Sequence, residues 1–164
     1  MLRLIERLLP RPVHRIALRV AYRLRHRWRS VVKAPLEGVS VFVTDLEGKL
    51  LLVRHSYGPE GWLLPGGGAR RGEDAIEAAR REIAEETGCK LENPRLLASV
   101  EETISGAPHT AHLVAARTLD RPKPDGREVI EARFFPTHSL PEPQTPLTRA
   151  RIAAWRGKLG GSAG

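Results

Sequence analysis

A chain of 164 residues, 41% hydrophobic and 28% charged, holds enough apolar material for one globular core plus an appendage. A single cysteine, Cys89, excludes an internal disulfide framework and suits a reducing compartment. The net charge of +8 is unevenly spread: in the first 33 residues nine arginines and Lys33 face Glu6 alone, a net +9, and the remainder carries −1, so any basic partner signal belongs to the N-terminal arm.

The arm, residues 1–33, starts with a short apolar stretch interrupted by Arg3, Glu6 and Arg7, and Pro10 and Pro12 break it. The spacing then predicts a helix from Val13 to Trp28. Val13, Ile16, Ala17, Val20, Ala21, Leu24 and Trp28 project within about 140 degrees, and arginines occupy the rest of its circumference. No apolar run in the arm is long enough for a secretory core or a membrane span, and Ser30 as the only serine or threonine of these 33 residues argues against a transit peptide. The expected location is cytoplasmic, peripheral to a membrane if the arm lies on an anionic surface. Packing on its own domain or in a homodimer ranks ahead of the membrane surface. Nucleic acid fits poorly, because Tyr22 and Trp28 are too few to stack bases.

Lys33 to Gly38, containing Pro35, reads as the linker into the domain proper, residues 34–158, and residues 159–164 read as a flexible tail. Val39, Val41 and Val43 alternate with Ser40, Phe42 and Thr44 as a half-buried strand; Asp45 to Gly48 turns, and Lys49 to Arg54 returns. Arg54 and His55 close that strand and could reach phosphate. Trp62 reads as core. Pro65, Gly66, Gly67 and Gly68 then form a loop whose glycines let the backbone approach a ligand and receive phosphate oxygens.

An Ala-, Glu- and Arg-rich helix follows and stops at Gly88. Ile76, Ala79 and Ile83 make its apolar stripe, and Glu82, Glu85 and Glu86 share one face within about 100 degrees of arc. Like charges at that spacing repel. An oxygen-rich cluster suits Mg²⁺ or Mn²⁺, and the plain alternative is a solvated acidic face. Leu96 to Glu102, His112 to Leu119 and Val129 to Phe135 read as further strands and Thr148 to Gly157 as a closing helix, which gives an α/β layered domain. Cys89 reads as a buried inert thiol, and His109 and His112 as structural.

The stretch from Gly67 to Cys89 resembles the Nudix box. Gly67, Glu73, Arg81, Glu82, Ile83, Glu85, Glu86 and Gly88 match at the box's spacing, and only Cys89 departs, filling its last aliphatic slot. The resemblance implies an α/β/α sandwich with a mixed sheet. It also implies metal-dependent hydrolysis of a diphosphate joined to a nucleoside or another group, with Mg²⁺ or Mn²⁺ on Glu82, Glu85 and Glu86. Glu73 and Arg81 would be a supporting ion pair. The catalytic set is then Glu82, Glu85 and Arg81, with a further glutamate outside the box: Glu128 first, then Glu131, then Glu101 or Glu102. Gly66, Gly67, Gly68 and Arg54 are the phosphate-binding candidates. Markers of particular substrate subgroups are absent: Ser105 lies where ADP-ribose enzymes carry proline, and no tyrosine follows Tyr57. The partner is a nucleotide or other diphosphate compound, nucleoside triphosphates by default. Two alternatives stand beside this one: an idle nucleotide-binding module, and a membrane-surface enzyme acting on a lipid- or sugar-linked diphosphate.

Overall fold

The computed structural model describes residues 36–104, 106–124 and 126–160, together with Val13, Ile16 and Ala17. The rest of the arm, the linker up to Pro35 and the tail beyond Gly160 lie outside the described residues, as do the readings made for them; Leu36 to Gly38, expected in the linker, open the first strand, and Leu159 and Gly160, expected in the tail, end the last helix. Among the described residues no helix is long and apolar enough to cross a membrane.

Five strands, β1 (Leu36–Thr44), β2 (Leu50–His55), β3 (Glu92–Ile104), β4 (Ala107–Arg117) and β5 (Val129–Phe135), form one sheet in the order β3-β4-β1-β2-β5. β1 runs parallel to β4 and every other pairing is antiparallel, so the sheet is mixed. Helix α1 (Ala75–Thr87) covers one face and α2 (Pro146–Gly160) the other. On the α1 side Val39, Val41, Val43, Leu51, Val53, Val114 and Val129 pack on Ala78, Ala79 and Ile83. On the α2 side Phe42, Leu50 and Leu52 pack on Ile152 and Trp155, with Phe42 and Trp155 stacked at 5.1 Å. The expected α/β/α sandwich is the observed one.

β1 departs from the half-buried strand expected of it: Gly38 to Val43 are all buried. A central strand between two helical layers must satisfy both faces, and alternation of valine with Ser40 and Phe42 conceals that. Ser40 tolerates burial because its hydroxyl accepts a 2.6 Å hydrogen bond from Arg151 of α2. β3 and β4 also begin earlier than expected. Pro94 sits in edge strand β3, where a missing N–H costs little.

Local signals set the ends of α1. The Asp74 carboxylate accepts hydrogen bonds from the amides of Ile76 and Glu77, and Gly88, at φ 71°, donates its own amide to Ala84. The helix is thereby held in register beneath the glycine loop.

Candidate active site

The loop at residues 65–68 is pinned on two sides. Val41 donates to the Pro65 carbonyl at 2.9 Å, Val39 to that of Gly67 at 2.8 Å, and Ala69 to that of Glu37 at 3.0 Å, so the segment lies along β1. Gly66 has φ 144°, and a Cβ there would fall 2.1 Å from the Val39 carbonyl oxygen. A Cβ on Gly67 would fall 2.5 Å from Glu82 Oε2. Gly66 is required by its contact with the strand backbone, whereas a Cβ on Gly67 would push the Glu82 carboxylate of the helix aside.

Arg81 organises one half of the cluster. Its Nε and Nη2 donate to the two oxygens of Glu73, each at 2.8 Å; Nη2 also reaches the Gly68 carbonyl at 2.9 Å, and Nη1 reaches Glu82 at 2.5 Å. Glu85 Oε2 is 3.9 Å from the same Nη1 and its side chain is 49% exposed. The Arg81 guanidinium, with the Arg70 amide behind it, holds the Glu73 carboxyl down to about 2. Arg81 is itself pushed upward, chiefly by Glu73.

The other half is deeper. Glu86 is buried, accepts a 3.0 Å hydrogen bond from the Gly66 amide, and lies 3.1 Å from His55 Nε2. That nitrogen is itself buried, and the approach lacks the geometry of a directed hydrogen bond. Burial pushes the Glu86 carboxyl up against the opposing pull of His55 and the Gly66 amide. Burial also raises Glu82, opposed by Arg81 and reinforced by Glu86 and Glu85. For His55, burial favours the neutral ring, but Glu86, Glu128 and Glu82 together outweigh it and its pKa is raised.

Glu128 belongs to this neighbourhood. Its carboxylate accepts from the Tyr57 hydroxyl, and its backbone carbonyl accepts from the Ser56 amide at 2.9 Å. Glu131 does not face the cluster: it pairs across the strands with Arg54, whose Nη1 is 2.9 Å away. Arg54 also lies over the Trp62 ring at 5.8 Å, so this phosphate candidate stands in the wall of a neighbouring cleft. Glu101 accepts from Thr110, and Glu102 is tied to His109 and Arg151. Trp62 packs edge-on against Phe135 at 4.8 Å, as core. Cys89 is buried.

The cleft, about 750 Å³, is bounded by Arg54, Tyr57, Glu60, Trp62, Ile130 and Glu142 among others, and it shares His55 and Tyr57 with the carboxylate cluster. Tyr57 is a contact that sequence reasoning missed. The only available signal was its place two residues past a strand end already marked by Arg54 and His55.

Among the described residues, no three His, Cys, Asp or Glu side chains are drawn together into a ready cation cage. The donor set nevertheless suits one. Desolvation works against ionisation of the half-buried Glu82 and the buried Glu86, and the buried His55 nitrogen beside them lacks a directed partner. All the acidic donors are oxygen, the chemistry of Mg²⁺ or Mn²⁺.

Comparison with known proteins agrees with this architecture. The family model described as the NUDIX domain matches residues 34–156. The crystal structure of a MutT NUDIX hydrolase from Burkholderia pseudomallei superposes with a TM-score of 0.65 at 28% identity, covering 73% of this chain and 97% of that one. A human 8-oxo-dGDP phosphatase is 34% identical over 110 residues, 64% of this chain and 33% of the relative. A Bos taurus diphosphoinositol polyphosphate phosphohydrolase is 41% identical over 61 residues, 37% of each. The chain thus spans about a third of the length of the curated relatives it matches. The matched model covers most of the chain, its sheet order and two helical layers accord with the fold, and the box residues meet around one carboxylate cluster: the chain belongs to the Nudix hydrolase family.

Proposed function

We propose that this domain hydrolyses the phosphoric anhydride of a nucleoside diphosphate or triphosphate, with Glu82, Glu85 and Glu86 holding Mg²⁺ or Mn²⁺ and Glu128 taking the proton of the attacking water. The observation that carries the reading is the meeting of the Gly67 loop, the Arg81–Glu73 pair, the half-buried Glu82 and the buried Glu86 at one end of the sheet. A bound divalent cation would neutralise anhydride oxygens and make water easier to deprotonate.

The chain's own residues then divide the work. Arg81, fixed by Glu73, keeps Glu82 turned toward the loop, and the Gly66 amide with His55 keeps Glu86 in place. Glu128 accepts a proton as the water oxygen bonds to phosphorus and the bridging P–O bond breaks. The departing phosphate carries the electrons of that bond.

The cleft supports a nucleoside over a polyphosphorylated ring. Among the described residues its lining includes one arginine and no lysine; Arg54 is already neutralised by Glu131 and Glu142 is paired with Arg149, while Glu60 adds negative charge. A ring bearing several phosphates would meet repulsion there. A planar base meets the Tyr57 ring and carboxylate acceptors for its N–H groups.

A panel of dGTP, 8-oxo-dGDP, ADP-ribose and a diphosphoinositol polyphosphate, each with Mg²⁺, tests the reading beside Glu85→Gln. Nucleotide turnover that falls by at least about 100-fold in a folded variant is expected. Turnover confined to the inositol compound would overturn the substrate assignment, and an unchanged variant would overturn the metal-site assignment.

A further inference from the structure

Residues 55–57 leave the end of β2 and touch both the buried Glu86 and the segment that carries Glu128. His55 meets Glu86 at 3.1 Å. Ser56 donates its amide to the Glu128 carbonyl at 2.9 Å and its hydroxyl to the Arg127 carbonyl at 2.6 Å. The Tyr57 hydroxyl donates to the Glu128 carboxylate, and its ring tilts against His55 at 5.5 Å. Glu128 itself lies just before β5, on the segment entering the strand, where its side chain is exposed. An exposed carboxylate has many rotamers, and its aim must come from a neighbour.

We infer that Tyr57 is a positioning residue: its hydroxyl aims the Glu128 carboxylate, and because its ring also walls the cleft it ties the seating of the substrate's base to the aim of the proton acceptor. This rests on Glu128 acting as the base in the proposed hydrolysis. Ser56 brings the two segments together through the backbone, so Tyr57→Phe removes the aiming bond while the segment stays docked. The phenylalanine ring still fills the wall. Loss of aim lowers kcat, whereas loss of the wall would raise KM.

A double-mutant cycle of Tyr57→Phe and Glu128→Gln, with dGTP and Mg²⁺, tests this, together with the same cycle read by chemical denaturation. Tyr57→Phe is expected to lower kcat about 10-fold with KM changed less than about twofold, and to add less than about twofold once Glu128 is glutamine. The denaturation midpoints of the two single variants are expected to be non-additive whether or not dGTP is the best substrate. An equal loss of kcat in both backgrounds, a change confined to KM, or additive midpoints would overturn the inference. A Glu128→Gln variant with full turnover would instead overturn the assignment of the base, a separate result.

Discussion

Gly67 carries no side chain because Glu82 stands where one would go, with carboxylate atoms 2.5 to 2.9 Å from an ideal Cβ. Gly67→Ala must displace Glu82, so turnover is expected to fall at least about 10-fold while the thermal midpoint moves little, checked by kinetics beside calorimetry. Glu73 offers a pH test. Arg81 and the Arg70 amide hold its carboxyl at about 2, below the ordinary 4.5, so its contribution to stability is complete above the ordinary value and disappears as pH falls through about 2. The stability difference between wild type and Glu73→Gln is expected to stay constant from neutral pH to about 4.5 and to close toward about 2, followed by denaturation across pH. A gap that widened on acidification would contradict the ion pair. Which glutamates share a helix face was legible in their spacing, but their depth was not. Glu86 is buried because the 66–68 loop and His55 close over it, and Glu85 remains open, a difference set by segments far apart in sequence.

At the scale of elements, α1 is defined by its caps. Asp74→Ala is expected to cost about 1 kcal/mol by leaving the Ile76 and Glu77 amides without their acceptor. Gly88→Ala is expected to cost a similar amount, about 1 kcal/mol, because φ 71° strains any residue with a Cβ although no neighbouring atom crowds it. Urea denaturation measures both, and a loss under about 0.3 kcal/mol in either would contradict the capping account. These signals were readable in the sequence because they are local. The separation of Glu128 from Glu131 was not. The ladder between β2 and β5 shifts register between Arg54 and His55, so Glu131 faces Arg54 while Glu128 joins Tyr57 and His55. A bulge of that kind leaves no periodic trace in the chain.

Across the whole molecule, two cores on opposite faces of one sheet hold the site at one end of β2. The α1 core is continuous with the carboxylate helix, and the α2 core carries Phe42, Trp155 and the Arg151 contact to buried Ser40. The layered class followed from the alternation of strands and helices, yet the burial of β1 on both faces depended on α2 returning over it, a contact between the two ends of the domain. Trp155→Ala is expected to cost about 3 to 5 kcal/mol through the lost stack on Phe42, measured by thermal unfolding. The carboxylates would keep their arrangement, since they lie on the other face. The central claim is that Glu82, Glu85 and Glu86 hold a divalent cation where the anhydride is split. Its most direct test is anomalous diffraction from crystals soaked in Mn²⁺ with a nucleotide: the account predicts a manganese peak against these three glutamates and the nucleotide's phosphates, and a well-occupied nucleotide with no manganese beside them would contradict it.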